Sequence, residues 1–242
     1  MTAVPRMRMF AGPNGSGKST IKSVISSELL GIYINPDEIE KDIRATGYLD
    51  LEEFGVSDTG QEALGFFEQS TLLRKAGLVA ESQQVRLKNN VLDFSGITVN
   101  SYYASVISDF LRHKLLDIGA SFTFETVMSS PDKVELLRKA QERGFRTYLY
   151  FVATDDPLIN ISRVQNRVRL GGHPVPEDKI VSRYGRSLDL LLEAIRYSDR
   201  AYIFDNSSHE STWLAEVTNG EELELRTEQI PAWFKSAIWD KL

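Results

Sequence analysis

Eight consecutive residues, Gly12-Pro13-Asn14-Gly15-Ser16-Gly17-Lys18-Ser19, restrict this chain more than any other stretch. They satisfy in full the phosphate-cradling pattern: glycine, four free positions, Gly-Lys and a hydroxyl residue. Gly15 and Gly17 let the backbone curl until successive N–H groups turn inward, and the helix that follows presents its positive end to the same place. In such a loop Lys18 is expected to reach the β- and γ-phosphates of a nucleoside triphosphate, and the Ser19 hydroxyl to ligate Mg²⁺. The expected nucleotide site is Gly12 to Thr20, with ATP or GTP and Mg²⁺ as its ligands. The flanks agree with this reading. Met7–Ala11 reads as a buried strand, and Ile21, Val24, Ile25, Leu29 and Leu30 follow Lys18 at the spacing of one continuous helix. Gly31 ends that helix and Ile32-Tyr33-Ile34 resumes as a strand. Strand, glycine loop, helix, strand is the opening of an α/β nucleotide-binding fold.

The alternation returns further along. Ser121–Thr126 alternates with period two, and Pro131 opens a helix through Val134, Leu137 and Ala140 that ends at Gly144. Arg146–Ala153 is β-prone, and Pro157 opens a helix through Leu158, Ile161, Val164 and Val168. After Gly171-Gly172-His173-Pro174 a long helix carries Ile180, Val181, Tyr184, Leu188, Leu191 and Ile195 on one face, and Ala201–Phe204 is a last strand. The predicted fold is α/β, a P-loop kinase-type three-layer domain with a central, mainly parallel sheet spanning residues 1–242. Residues from about 51 to 119 break the alternation and read as a helical insertion, with helical stretches at Ala63–Lys75 and Tyr102–Leu116 around an Asn-rich passage. Thr212–Thr227 reads as a hairpin turning at Asn219-Gly220, followed by a short helix after Pro231 with Trp233 and Trp239 against the core.

Composition narrows the function classes. A net charge of −6 argues against a large nucleic-acid footprint, which needs basic surface. With no cysteine there is neither a disulfide framework nor a thiolate metal site. No segment reaches the roughly 18 apolar residues of a membrane helix, and Met1–Phe10 has no room for a secretory signal. The expectation is a cytoplasmic protein without a membrane partner.

Candidate chemistry lies at strand ends and on one helix. Asp37, in Asn35-Pro36-Asp37-Glu38-Ile39, stands just beyond the second strand, where α/β proteins place ligands. Its carboxylate is suited to take the proton of an attacking hydroxyl, or else caps the helix that follows. Glu125 and Thr126 end another inner strand and are candidates to contact substrate. Arg163 and Arg167, spaced i, i+4, share a helix face and are candidates to stabilise charge on a transferring phosphoryl group. Arg183 and Arg186 follow on the next helix, as phosphate clamps or surface residues. Of three histidines only His173, in the glycine break, is expected near substrate. No apolar run ending in aspartate is evident as a Walker-B strand, which argues against a motor ATPase.

In this order the pieces resemble the zeta toxin family of P-loop kinases, the toxin halves of toxin–antitoxin pairs. The resemblance runs through Ala11–Thr20, Ile34–Ile39, Phe122–Ser129, Asn160–Tyr184 and Ala201–Ser207. Gly171-Gly172-His173-Pro174-Val175-Pro176 looks most like the family's divergent chromosomal branch. It implies that Asp37 is the catalytic base, Glu125 the substrate-contacting glutamate, Arg163 or Arg167 the lid arginine, and Lys18 the phosphate-loop lysine. It further implies ATP-dependent phosphorylation of the 3′-hydroxyl of UDP-N-acetylglucosamine, and an antitoxin protein as partner. The chain departs from the family pattern at Val127-Met128-Ser129, where the classical toxins carry an arginine shortly after the glutamate, and near His173, where their second lid arginine would fall. Kinase chemistry on a small-molecule acceptor therefore carries over more fully than the sugar nucleotide does. The alternatives are a kinase acting on a nucleic-acid end or dinucleotide, and a nucleotide-switched binding module.

Overall fold

The computed structural model describes residues 3–23, 25–58 and 61–241. In chain order the elements are β1 (Arg6–Ala11), α1 (Lys18–Lys22), α2 (Ser27–Leu30), β2 (Ile32–Ile34), α3 (Pro36–Thr46), β3 (Tyr48–Asp50), α4 (Glu62–Gln69), α5 (Thr71–Ala76) and α6 (Val79–Ser82). Next come β4 (Arg86–Lys88), β5 (Val91–Asp93), α7 (Ser101–Asp117), β6 (Phe122–Thr126), α8 (Asp132–Glu142), β7 (Arg146–Ala153) and α9 (Pro157–Arg169). The chain finishes with α10 (Glu177–Asp189), α11 (Leu191–Arg196), β8 (Arg200–Asp205), β9 (Thr212–Thr218), β10 (Glu222–Leu225) and α12 (Ala232–Ala237). It divides into two compact units, one of Met1–Leu30 with Thr123–Leu242, the other Gly31–Phe122.

The first unit is a mixed α/β body built on a mostly parallel sheet, with strands in the order β10-β9-β8-β7-β1-β6. β1 and β8 both run parallel to β7, and the antiparallel hairpin β9–β10 extends the β8 edge. The register Phe10↔Tyr150↔Tyr202 and Val152↔Phe204 puts these side chains on one face of the sheet. There Phe10 and Val152 close a core with Ile21 of α1, joined by Ile25, Leu30 and Phe204. Phe151 points the other way and meets the Trp233 ring of α12, 6.2 Å between centroids. Helices on both faces keep the central strands dry, which is what a parallel sheet requires. The hairpin turns at Asn219 (φ 53°) and Gly220 (φ 71°), as the sequence predicts. Trp233 is buried, but Trp239 is 48% exposed and does not pack on the core as expected.

Three expected helices are broken: besides Ala63–Lys75, which is split at Ser70 between α4 and α5, two more are interrupted. After Lys18 the first runs only to Lys22 and the chain re-enters a helix at Ser27. Ser23 Oγ donates to Thr20 O at 2.6 Å, and such local bonding by serine competes with propagation of the helix. Val24, one of the expected apolar positions, lies outside the described residues. The second break, at Leu190, separates α10 from α11, and Val181 on the expected apolar face is 46% exposed.

The second unit contains the whole segment 51–119, together with β2 and α3. Its spine is α7, whose 17 residues include ten that are buried, with α3, α4 and α5 packed on it. Phe67 meets Phe94 and Tyr103 edge-on or tilted, and Phe66 meets Phe110. Besides helices it holds a small antiparallel sheet, β3-β5-β4. The Asn-rich passage is its turn: Asn89 and Asn90 both sit at positive φ (50° and 64°), the conformation a two-residue hairpin loop demands and asparagine tolerates. Among the described residues no helix is long and apolar enough to cross a membrane.

Candidate active site

The glycine motif leaves β1 at its carboxyl end and enters α1 as the sequence predicts. Gly12 (φ 143°), Gly15 (φ 76°) and Gly17 (φ 99°) all have backbone conformations that side chains rarely adopt, so the loop curls tightly. A Cβ on Gly12 would lie 2.0 Å from Val152 O and one on Gly17 2.0 Å from Asn206 Nδ2. These glycines thus serve close backbone approach as well as curvature. Lys18 Nζ bends over the loop and donates to Gly12 O at 2.9 Å and Pro13 O at 3.2 Å. The Ser16 side chain is fully buried, and its hydroxyl oxygen has no hydrogen-bond partner among the described residues. Ser19 and Thr20, which follow Lys18 in α1, are exposed.

Two residues that the sequence reading did not single out hold this loop. Asn160, fully buried in the first turns of α9, donates from Nδ2 to Asn14 O at 2.7 Å and accepts the Thr154 hydroxyl on Oδ1. Asn206, just past β8, donates from Nδ2 to Ser16 O at 2.7 Å, and its backbone N–H reaches Ala153 O at 2.8 Å. A signal existed for the first: Asn160 lies four residues before Val164, and these two are the buried positions of α9. A polar residue on an apolar stripe asks what it bonds to. Nothing in the sequence marks Asn206.

The paired arginines project from α9 as expected but differ in surroundings. Arg163 donates from Nη2 to Ser208 O at 3.2 Å, while its Nη1 is buried and has no hydrogen-bond partner among the described residues. Arg167 is exposed and donates to His173 O at 3.2 Å, tying the helix end to the glycine break. Arg183 on α10 reaches Asn14 Oδ1 at 3.4 Å, so it faces the loop, whereas Arg186 is exposed and bonds Ser129 O. Tyr184 donates to Thr154 O at 2.6 Å. Burial first, then the charges of Asp155, Asp156 and Asp205, pushes its hydroxyl up to about 12 from 10.0, so it stays a donor.

Glu125 is buried at the end of β6, and the Thr126 hydroxyl next to it accepts the Met128 N–H at 3.1 Å. Met128 is fully buried at φ 52°, where a side chain is strained. β8 ends at Asp205, as the sequence predicts. Both Asp205 oxygens are engaged: Oδ1 accepts from Trp233 Nε1 and Ser207 Oγ, and Oδ2 from Ser207 N. Asp37 belongs to the second unit, in the first turn of α3. The cap of that helix is Asn35, whose Oδ1 accepts the Asp37 N–H at 2.9 Å, so capping is not what Asp37 is there for. Within the first unit the structure therefore brings together Gly12–Thr20, Asn160, Arg183 and Asn206 through hydrogen bonds around one loop, with Arg163 one turn along α9 from Asn160.

Comparison with known proteins fixes the family. The zeta toxin family model matches residues 95–217, just over half of the chain. The chain belongs to the zeta toxin family. The matched stretch carries Glu125, Thr126, Asn160, Arg163, Arg167, His173 and Asn206, and lies beyond the glycine loop. An uncharacterized protein of Haemophilus influenzae is 23% identical to this family member over 175 residues, 72% of this chain and 89% of its own. Among solved structures, the AvrRxo1-ORF1:-ORF2 complex with ATP aligns at a TM-score of 0.53 and 15% identity, covering 99% of this chain and 64% of that one. The same complex with sulphate ions aligns at 0.53 and 13% identity, over 93% and 62%. The zeta toxin family member thus spans a little under two thirds of those chains, and shares with them a mixed α/β fold.

Proposed function

We propose that this zeta toxin family member is an ATP-dependent kinase that transfers the γ-phosphate to a hydroxyl of a sugar nucleotide or related metabolite, UDP-N-acetylglucosamine being the first acceptor to test. The observation that carries the reading is the glycine cradle of Gly12–Ser19, curled between β1 and α1 with the Lys18 ammonium bent over it. The Ser16 hydroxyl and Arg163 Nη1, both buried and without a hydrogen-bond partner among the described residues, support an anionic ligand nearby. Leaving such groups unpaired is costly, and phosphate oxygens are the acceptors that would relieve it.

In this reading Gly12, Pro13, Asn14, Gly15, Ser16, Gly17, Lys18, Ser19 and Thr20 hold the triphosphate. The Lys18 ammonium exchanges loop carbonyls for phosphate oxygens. Arg163, with Arg167, offsets charge on the transferring group. Asp37 takes the acceptor's proton, while Glu125, Thr126 and His173 contact the acceptor. Mg²⁺ would supply charge neutralisation on the β- and γ-phosphates, held by Ser19 and the nucleotide itself, an arrangement that suits an ion bound mainly through substrate phosphates. GTP is the competing nucleotide, and a cytoplasmic setting follows from the substrates. That the AvrRxo1 structures are complexes of two proteins supports looking for an antitoxin partner.

The test is direct. Purified protein and labelled ATP are incubated with UDP-N-acetylglucosamine and, in parallel, with a metabolite extract, and new phosphorylated species are resolved by mass spectrometry. The kinase reading expects a product that disappears with Lys18→Ala. ATP hydrolysis with no phosphorylated acceptor in any extract would refute it.

A further inference from the structure

We infer that Asn160 and Asn206 are positioning residues that preset the glycine loop for phosphate, a role that deepens the kinase reading and rests on it. In a trans peptide the C=O and N–H point in opposite directions, and the plane turns as a whole. Asn160 Nδ2 holds Asn14 O at 2.7 Å, so the N–H of Gly15, on the same peptide plane, is turned away from α9. Asn206 Nδ2 holds Ser16 O at 2.7 Å, which likewise turns the Gly17 N–H away from the end of β8. The two side chains therefore set the direction of two amides that the loop offers to an anion.

The clamps are themselves fixed. Asn160 is fully buried, and the Thr154 hydroxyl on its Oδ1 leaves Nδ2 facing the loop. Asn206 continues β8 against β7 through its own N–H on Ala153 O, so a sheet ladder sets its position. Glycine is required opposite both. A Cβ on Gly15 would lie 2.6 Å from Asn160 O and one on Gly17 2.0 Å from Asn206 Nδ2. Glycines and asparagines are thus one fitted set, in which the glycines give the curve and the asparagines the amide direction.

Asn160→Asp and Asn206→Asp keep shape while replacing the donor by an oxygen, which repels the carbonyl it faced. Each is expected to weaken ATP binding by isothermal titration ~10-fold or more, the scale of a lost hydrogen bond plus an unfavourable contact. The amide resonances give a readout that a merely structural role would not move. In the wild type, ATP should shift both the Gly15 and Gly17 N–H signals. Asn206→Asp should lose the Gly17 shift and keep that of Gly15, and Asn160→Asp the converse. Should Asn160→Asp not fold, Thr154→Val frees the Asn160 amide to turn and is expected to weaken binding ~3-fold. Folded variants with wild-type affinity and both amide shifts intact would overturn the inference alone. A wild-type chain that binds no ATP would overturn the kinase reading and this inference with it.

Discussion

Asp37 and Arg163 are the residues on which the proposed chemistry turns, and each has a distinct expected phenotype. The N-terminus of α3 is already capped by Asn35, so Asp37→Asn should leave that helix intact. If Asp37 is the base, the variant keeps wild-type ATP affinity and loses about 10²–10⁴ in single-turnover transfer rate. Undiminished transfer would remove it from the mechanism. Arg163 Nη1 is buried and has no hydrogen-bond partner among the described residues, so Arg163→Ala relieves an unsatisfied group. The expected result is a melting temperature unchanged or raised, with kcat reduced by about 10²–10³ as for loss of one donor to developing charge. Arg167 is exposed and already spent on His173 O, so Arg167→Ala should cost much less. Equal losses for the two arginines would count against the assignment.

Between α9 and α10 the structure shows how elements carry the site. α9 begins under the loop at Asn160, and α10 returns to the same place through Arg183 on Asn14 and Tyr184 on Thr154. Tyr184→Phe should destabilise the fold by about 1 kcal/mol, the net worth of one hydrogen bond. It should also change the alkaline limb. Because folding raises the Tyr184 pKa from 10.0 to about 12, the unfolded chain loses that proton first. The contribution is complete below pH 10 and fades toward pH 12, so the variant's stability should fall less over that window in denaturant titrations. The other raised tyrosines, Tyr103, Tyr150 and Tyr202, keep their share in both proteins. Elements with strong local signals were legible in the sequence: β7 at Arg146–Ala153, α9 from Pro157, and the hairpin at Asn219-Gly220. The α1–α2 break was not, because apolar spacing continues across a stretch where serine bonds its own helix. Nor were β3, β4 and β5, each three residues long and too short for alternation to show. Asn206 was invisible because its role depends on a partner 190 positions away, at Ser16.

For the whole molecule, net charge weighs against a long polyanion as the acceptor. The chain carries 28 basic and 34 acidic residues, a net charge of −6. A long polyanion would meet that field along its length, whereas a small acceptor samples only the site, because exposed charges are screened beyond about 10 Å at 0.1 M salt. Salt therefore separates the proposed small-molecule kinase from one acting on nucleic-acid ends. A protein gripping 6–10 phosphates loses about 10³–10⁵ in affinity between 50 and 200 mM salt. For a sugar-nucleotide acceptor the change in kcat/KM over the same range is expected to stay within about threefold, since only local pairs contribute. Added single-stranded oligonucleotide should not compete. The measurement needs only initial rates at several KCl concentrations, with ATP and Mg²⁺ held saturating so that their own binding does not enter. A steep salt slope together with competition by oligonucleotide would move the acceptor to nucleic acid, and would require a local basic path that outweighs the net charge.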